Sequence, residues 1–258
     1  MGAISTYAVQ AAAAIRTSFA DRTNFTLQVA GMAVNNGFWL LLWFLFFAGF
    51  RQVGGWRLGD VARLLGIMYT LFGIATVFAG GYRDLAAAIL RGEIDPLLTQ
   101  PKPVLPRLLA KESIPSAWGD VVTGILILFA SARLDLPGAG LALAAILIGL
   151  VAWLATGVAF ASLAFWIAGA RSLSRDLVDF TLMIATYPAS IYTGWTRLVA
   201  FTVLPAGFVA MLPAELVRSP SPMAALTAVS GAALYAALAL AVFHLGLKRY
   251  RQGAAPGA

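Results

Sequence analysis

Glu93 and Asp95, two residues apart and followed by Leu97 and Leu98, are the most concentrated set of side chains here able to engage a soluble partner. They belong to a charged stretch, 91–111, in which prolines at 96, 101, 103 and 106 interrupt the backbone. Proline removes an N–H and restricts the residue before it, so no long helix can run through; a short helix and a rigid elbow are expected. Such a segment can pass a push from one body to another, and it would equally serve as a solvated loop between two membrane helices. As residues of an aqueous loop, Glu93 and Asp95 are expected to be replaceable at little cost to the fold.

Other reactive chemistry is sparse. There is no cysteine and a single histidine, His244, which leaves no thiolate, no zinc-thiolate site and little for a Ser-His pair. Lys102, Lys111 and Lys248 are followed by Pro103, Glu112 and Arg249, so the Gly-Lys-Ser/Thr needed to cradle a nucleotide phosphate is absent. No His-Glu-x-x-His or Gly-x-Ser-x-Gly occurs. The net charge of +7 is not gathered into basic runs interleaved with aromatics, which argues against nucleic acid as a partner.

With 60% apolar and 11% charged residues, the chain reads as an all-α, multi-pass membrane protein of one domain over 1–258. An amphipathic helix within 1–23 is expected in the membrane interface. Spans are expected at 25–50, 64–82, 113–132, 139–168, 177–196 and 223–247, with a proline-punctuated, re-entrant outer segment at 198–213 and a flexible tail at 252–258. A brief turn at 133–138 joins the third and fourth spans. The third span includes Asp120 about two turns from its start, where the side chain either serves ion coupling or reaches the interface and pairs with Arg83 or Arg107. Six crossings with both termini in the cytoplasm put twelve Lys/Arg inside and six outside.

Polar residues within these spans want partners. Asn35 and Asn36 sit in the first span; Tyr69, Phe72 and Thr76 share a face of the second; Asp179, Met183, Thr186, Ser190 and Thr193 follow one another at helical spacing in the fifth. These stripes are expected to line a substrate pathway at a dimer centre. The competing reading is that the hydroxyls bond their own backbone.

The arrangement resembles bacterial ABC-2 type transporter permeases. The loop reads Ile89-Leu90-Arg91-Gly92-Glu93-Ile94-Asp95-Pro96-Leu97-Leu98-Thr99-Gln100-Pro101, and Gly92, Glu93, Asp95, Leu97, Leu98 and Pro101 match a Gly-Glu-hydrophobic-Asp-x-Leu-Leu-x-x-Pro signature of a compact group of such permeases. The resemblance implies an exporter subunit in the bacterial inner membrane, paired with a second copy or a sister permease. It also implies a separate ATP-binding cassette subunit, which would carry the ATP and magnesium; this chain would bind no cofactor and no metal itself. Loop 91–112 would then hold a cytoplasmic coupling helix after the second span, and substrates would be lipophilic or amphiphilic: drugs, toxic cations, peptides or lipids. The alternatives are an ion-coupled secondary transporter using Asp120, and a non-transporting membrane scaffold or enzyme.

Overall fold

The computed structural model describes residues 3–131 and 136–253. The expected turn at 133–138 and tail at 252–258 lie partly outside those residues. Apart from one bridge between Val53 and Trp56, the described chain is helices, turns and loops.

Helix α1 (Ala3–Ser18) lies across the rest, its Tyr7 hydroxyl donating to the Phe78 carbonyl at 2.8 Å. Helix α2 (Arg22–Gly49) starts where Asp21 accepts from the Asn24 amide at 3.0 Å, the side chain satisfying a donor that the first turn leaves open. Helix α3 (Leu58–Ala79) continues through a 3-10 turn, Gly80–Asp84, into α4 (Leu85–Leu90). A one-turn helix α5 (Asp95–Leu98) and α6 (Val104–Leu109) form the elbow. Next come α7 (Ala117–Ser131), α8 (Leu136–Ser162), α9 (Ala170–Ala185), α10 (Gly194–Phe201), α11 (Leu212–Arg218) and α12 (Pro222–Arg251).

Among the described residues four helical segments are long and apolar enough to cross a membrane: α2, α3 with α4, α8 with the turn after it, and α12. Two expected spans differ. Helix α7 begins at Ala117 rather than near 113, so Asp120 sits in its first turn rather than two turns in. The fifth expected span is not one helix: α9 stops at Ala185, residues Ala189–Ile191 form a 3-10 turn, and α10 begins after Thr193. Pro188 offers no N–H to continue α9 and disfavours helical backbone at Tyr187, which explains the stop. Residues 198–213 do form helix, break and helix, as a π turn at Gly207–Met211 leads into α11.

Helix α3 is the hub. Val61, Leu64, Leu65, Ile67, Met68 and Leu71 are almost free of solvent, packed among α7, α8 and the segment entering α11. A second apolar cluster lies beyond it, where Leu85, Ile89, Ile94 and Leu108 meet Phe165 of the turn after α8 and Phe243 of α12. By contrast α2 and α12 leave large apolar side chains uncovered, among them Val34, Phe38 and Leu42, and Leu226, Leu234 and Leu238. In water such faces would aggregate; facing acyl chains or another subunit they cost nothing.

Helices α3 and α7 approach closely because glycine stands at their crossing. A Cβ on Gly124 would lie 2.6 Å from the Thr70 amide nitrogen and 2.8 Å from the Gly66 carbonyl oxygen. Both neighbours are backbone, so relief requires the helices to separate. We expect Gly124→Val to destabilise the protein by about 1–3 kcal/mol, as overpacking does. Thermal unfolding in detergent checks this; an unchanged midpoint would mean the crossing is looser than the backbone implies.

Candidate functional site

The elbow is built outward from the end of α4. Gly92 has φ +72, a left-handed conformation that L side chains resist, and its amide donates to the Ile89 carbonyl while the next amide, of Glu93, donates to Ala88. This paired closure satisfies the last carbonyls of the helix and reverses the chain. Ile94 then drops fully into the second apolar cluster, against which Leu97 and Leu98 lie half-buried. Pro101 and Pro103 extend the chain to α6, which brings Lys111 back to the start of the loop.

Charge locks that return. Glu93 accepts from Arg91 at 2.7 Å with one oxygen and from Lys111 at 2.5 Å with the other. Arg91 also donates to Asp84 at 2.6 Å, and Arg175 of α9 reaches Asp84 at 3.5 Å. Lys111 first, then Arg91, hold the Glu93 carboxyl below the usual carboxylate range, and Asp84 and Glu93 raise the Arg91 guanidinium. Each pair is partly exposed and worth little alone, but the alternating chain fixes five side chains at once. At the far end, Tyr250 of α12 donates its hydroxyl to Asp95 at 2.7 Å.

The six loop residues singled out from sequence therefore gather in one structure with divided duties. Glu93 and Asp95 are not free carboxylates: Glu93 is bonded to Lys111 and Asp95 to Tyr250, so replacing either removes a bond within the protein. Exposed to solvent are Pro96, Thr99, Gln100, Pro101 and Lys102, together with the Asp95 backbone turn. Tyr250 and Asp84 lie outside the loop read from sequence, and Lys111 lies inside it with no spacing that ties it to Glu93.

The polar stripes are scattered differently. Asn36 is buried and donates to Asp120 at 2.8 Å; Asn35 donates to Asn36 at 3.4 Å. Asp120 thus meets an amide rather than Arg83 or Arg107, and no ion pair involves it among the described residues. Tyr69 and Thr76 are buried, and Phe72 stacks on Trp153 with ring centres 4.4 Å apart. Trp153 donates to the Tyr82 hydroxyl at 3.0 Å, which lies 3.3 Å from that of Thr76. Thr186 caps the end of α9 and donates to the Met183 carbonyl at 2.6 Å. Ser190 belongs to the next turn and Thr193 precedes α10, so Thr186, Ser190 and Thr193 do not share one helix face. The chain break at Pro188 is the reason.

Beside the charged chain opens a cavity of about 540 Å³, with Tyr82, Arg83, Glu112, Trp153 and Asp179 in its wall. Among the described residues no three His, Cys, Asp or Glu gather in a way that could hold a metal ion.

Residues 33–254 match the model of a family described as ABC-2 family transporter protein. No curated protein and no solved structure matches the chain.

The sign of the Glu93 effect is definite. Its folded-state pKa is lowered, so the stability it contributes is complete above the unfolded carboxylate value and is lost as pH falls through the folded value. We expect Glu93→Gln to lower the unfolding midpoint at pH 7 and to converge with the wild type in acid, below the lowered pKa. A pH series of melts checks this, and a constant offset across the series would show that the loss is not one of charge.

Proposed function

The chain belongs to the ABC-2 transporter family, and from that premise we propose that it is the membrane half of a bacterial exporter driven by a separate ATP-binding cassette subunit. Its elbow docks on that subunit; ATP and magnesium are held there, not by this chain. The complete machine contains a second copy or a sister permease, sits in the inner membrane and keeps both termini of this chain in the cytoplasm. Its cargo is lipophilic or amphiphilic: a drug, toxic cation, peptide or lipid. Six crossings, counting α7 and the α9–α10 region beside the four long helices, accommodate this arrangement.

One observation carries the proposal: the elbow is anchored on its inner side and uncovered on its outer side. Ile94 is buried, Glu93 grips Arg91 and Lys111, and Asp95 is held by Tyr250, while Pro96, Thr99, Gln100 and Pro101 face outward. A push on that outer face has nowhere to dissipate. It passes back through Gly92 into α4 and the continuous α3, and through Tyr250 into α12. Movement of α3 in turn loads α7 and α8, which pack against it. Asn36, Tyr69, Phe72 and Thr76 would then be uncovered along the route when those helices part, beside the already exposed Asn35 and joined by Thr186, Ser190 and Thr193 near the α9–α10 break.

A second reading, ion-coupled transport through Asp120, draws on the Asn36–Asp120 bond and on there being no close ion pair to that carboxylate among the described residues. Collapsing the ion gradient with an ionophore at constant ATP separates the two: transport persists under the first reading and stops under the second.

The docking role has its own test. Thr99→Glu with Gln100→Glu alters exposed side chains whose only bonds are local ones to the Pro96 carbonyl, so we expect insertion to be kept and melting to change little while copurification with a co-expressed ATP-binding subunit, and ATP turnover by the complex, fall about tenfold or more. The isolated chain should hydrolyse no ATP. Full coupling in the double variant would place docking elsewhere.

A further inference from the structure

Arg107 of α6 presents an electrostatic problem that the elbow's function leaves unsolved. Its Nε and Nη1 are buried and have no hydrogen-bond partner among the described residues, and the same is true of Gln10 Oε1 across from it on α1. A half-buried guanidinium with two nitrogens shut off from water and left unpaired is costly, and natural folds seldom leave one so. Arg107 and Gln10 both line a cavity of about 420 Å³ between α1 and the elbow. The other charges in that wall are already spent: Lys111 and Glu93 hold each other at 2.5 Å. The space is therefore left with a cation that asks for an anion.

The remaining wall says what kind of anion. Ala13, Ala14, Leu97 and Leu108 make the rest of the cavity largely apolar, and Val9, also on α1, is exposed. Helix α1 carries its apolar residues at helical spacing and stands at the basic ends of the spans, where the inner leaflet's headgroups lie. A planar guanidinium fork suits the oxygens of a phosphate, and apolar walls suit the first carbons of an acyl chain. A carboxylate from the ATP-binding subunit fits less well, because the outward residues Pro96, Thr99 and Gln100 are not in this wall.

We propose that the cavity between α1 and the elbow binds the phosphate head of an inner-leaflet phospholipid, with Arg107 as its anchor. The lipid ties the interfacial helix to the coupling elbow, so membrane composition acts on the same body that the ATP-binding subunit pushes. The site needs nothing from the proposed transport cycle and can be tested on the full chain alone.

The experiment is thermal unfolding of the full chain in detergent, followed by tryptophan fluorescence, with phosphatidylglycerol, an acyl-matched diacylglycerol, or inorganic phosphate added. Phosphatidylglycerol should raise the midpoint of the wild type, and Arg107→Leu should need about tenfold more lipid for half the effect, the value of one lost charge-assisted contact. Arg51→Leu, which removes a charge at the other end of the spans, should respond like the wild type. Should Arg107→Leu fail to fold, two variants decide: Arg107→Lys keeps the charge without the fork and should respond weakly, and Ala14→Phe fills the cavity and should not respond. Equal lipid response in the wild type and these variants overturns the proposal. So does an equal rise with diacylglycerol, which marks plain apolar adsorption, or with inorganic phosphate, which marks a free-anion site. Loss of the ATP-binding subunit from Arg107→Leu with its lipid response intact would assign the cavity to that partner instead.

Discussion

Glu93 holds Arg91 with one carboxylate oxygen and Lys111 with the other, closing residues 91–111 into a loop whose two ends cannot drift apart. Chain entropy opposes such closure. Three local devices share the work with the ion pairs. Gly92 accepts the left-handed turn, Ile94, Val104 and Leu108 bury their side chains, and the prolines stiffen what remains. The outcome is a rigid elbow made from a short stretch, which is what transmission of force between two bodies requires.

On the proposed docking, two helices would receive the push because of where the elbow's bonds lead. Asp84, at the end of the turn that extends α3, binds Arg91; Tyr250, at the end of α12, binds Asp95. Helix α3 is the most buried element and α12 among the most exposed, so one displacement reaches both the protomer's interior and its periphery. Inside, two polar pairs join helices, Asn36 with Asp120 and Trp153 with Tyr82, as a medium without water favours, while the buried Tyr69 hydroxyl has no partner among the described residues. Those pairs are also the places where parting helices would expose hydrogen-bonding capacity to a passing substrate.

Much of this could be read from the sequence, and what escaped has a physical cause. Apolar runs mark α2, α3, α8 and α12, and the prolines mark the elbow, because both signals are local. The short helix and elbow are legible in the prolines, but the bonds of Glu93 and Asp95 are not, since a carboxylate's partner lies wherever tertiary structure brings a cation or hydroxyl. Lys111 is 18 residues from Glu93, and Tyr250 is 155 from Asp95. The stripe through Thr186, Ser190 and Thr193 failed for the converse reason: spacing was projected across Pro188 as if the helix continued. Asp120 was recognised as needing a partner, yet the buried amide of Asn36 answered that need where a cation was expected.

The central claim is that the elbow and the end of α12 move as one body when ATP is bound. The chain has no cysteine, so single spin labels can be placed at Thr99 and Gln252, both exposed, without removing any native thiol. Pulsed electron resonance on the assembled complex, with and without ATP, then measures the distance between them. The account predicts that this distance stays constant while the distance from Thr99 to a label at Thr26 on α2 changes. A nucleotide-dependent change between Thr99 and Gln252, with Thr26 at constant distance, would contradict it.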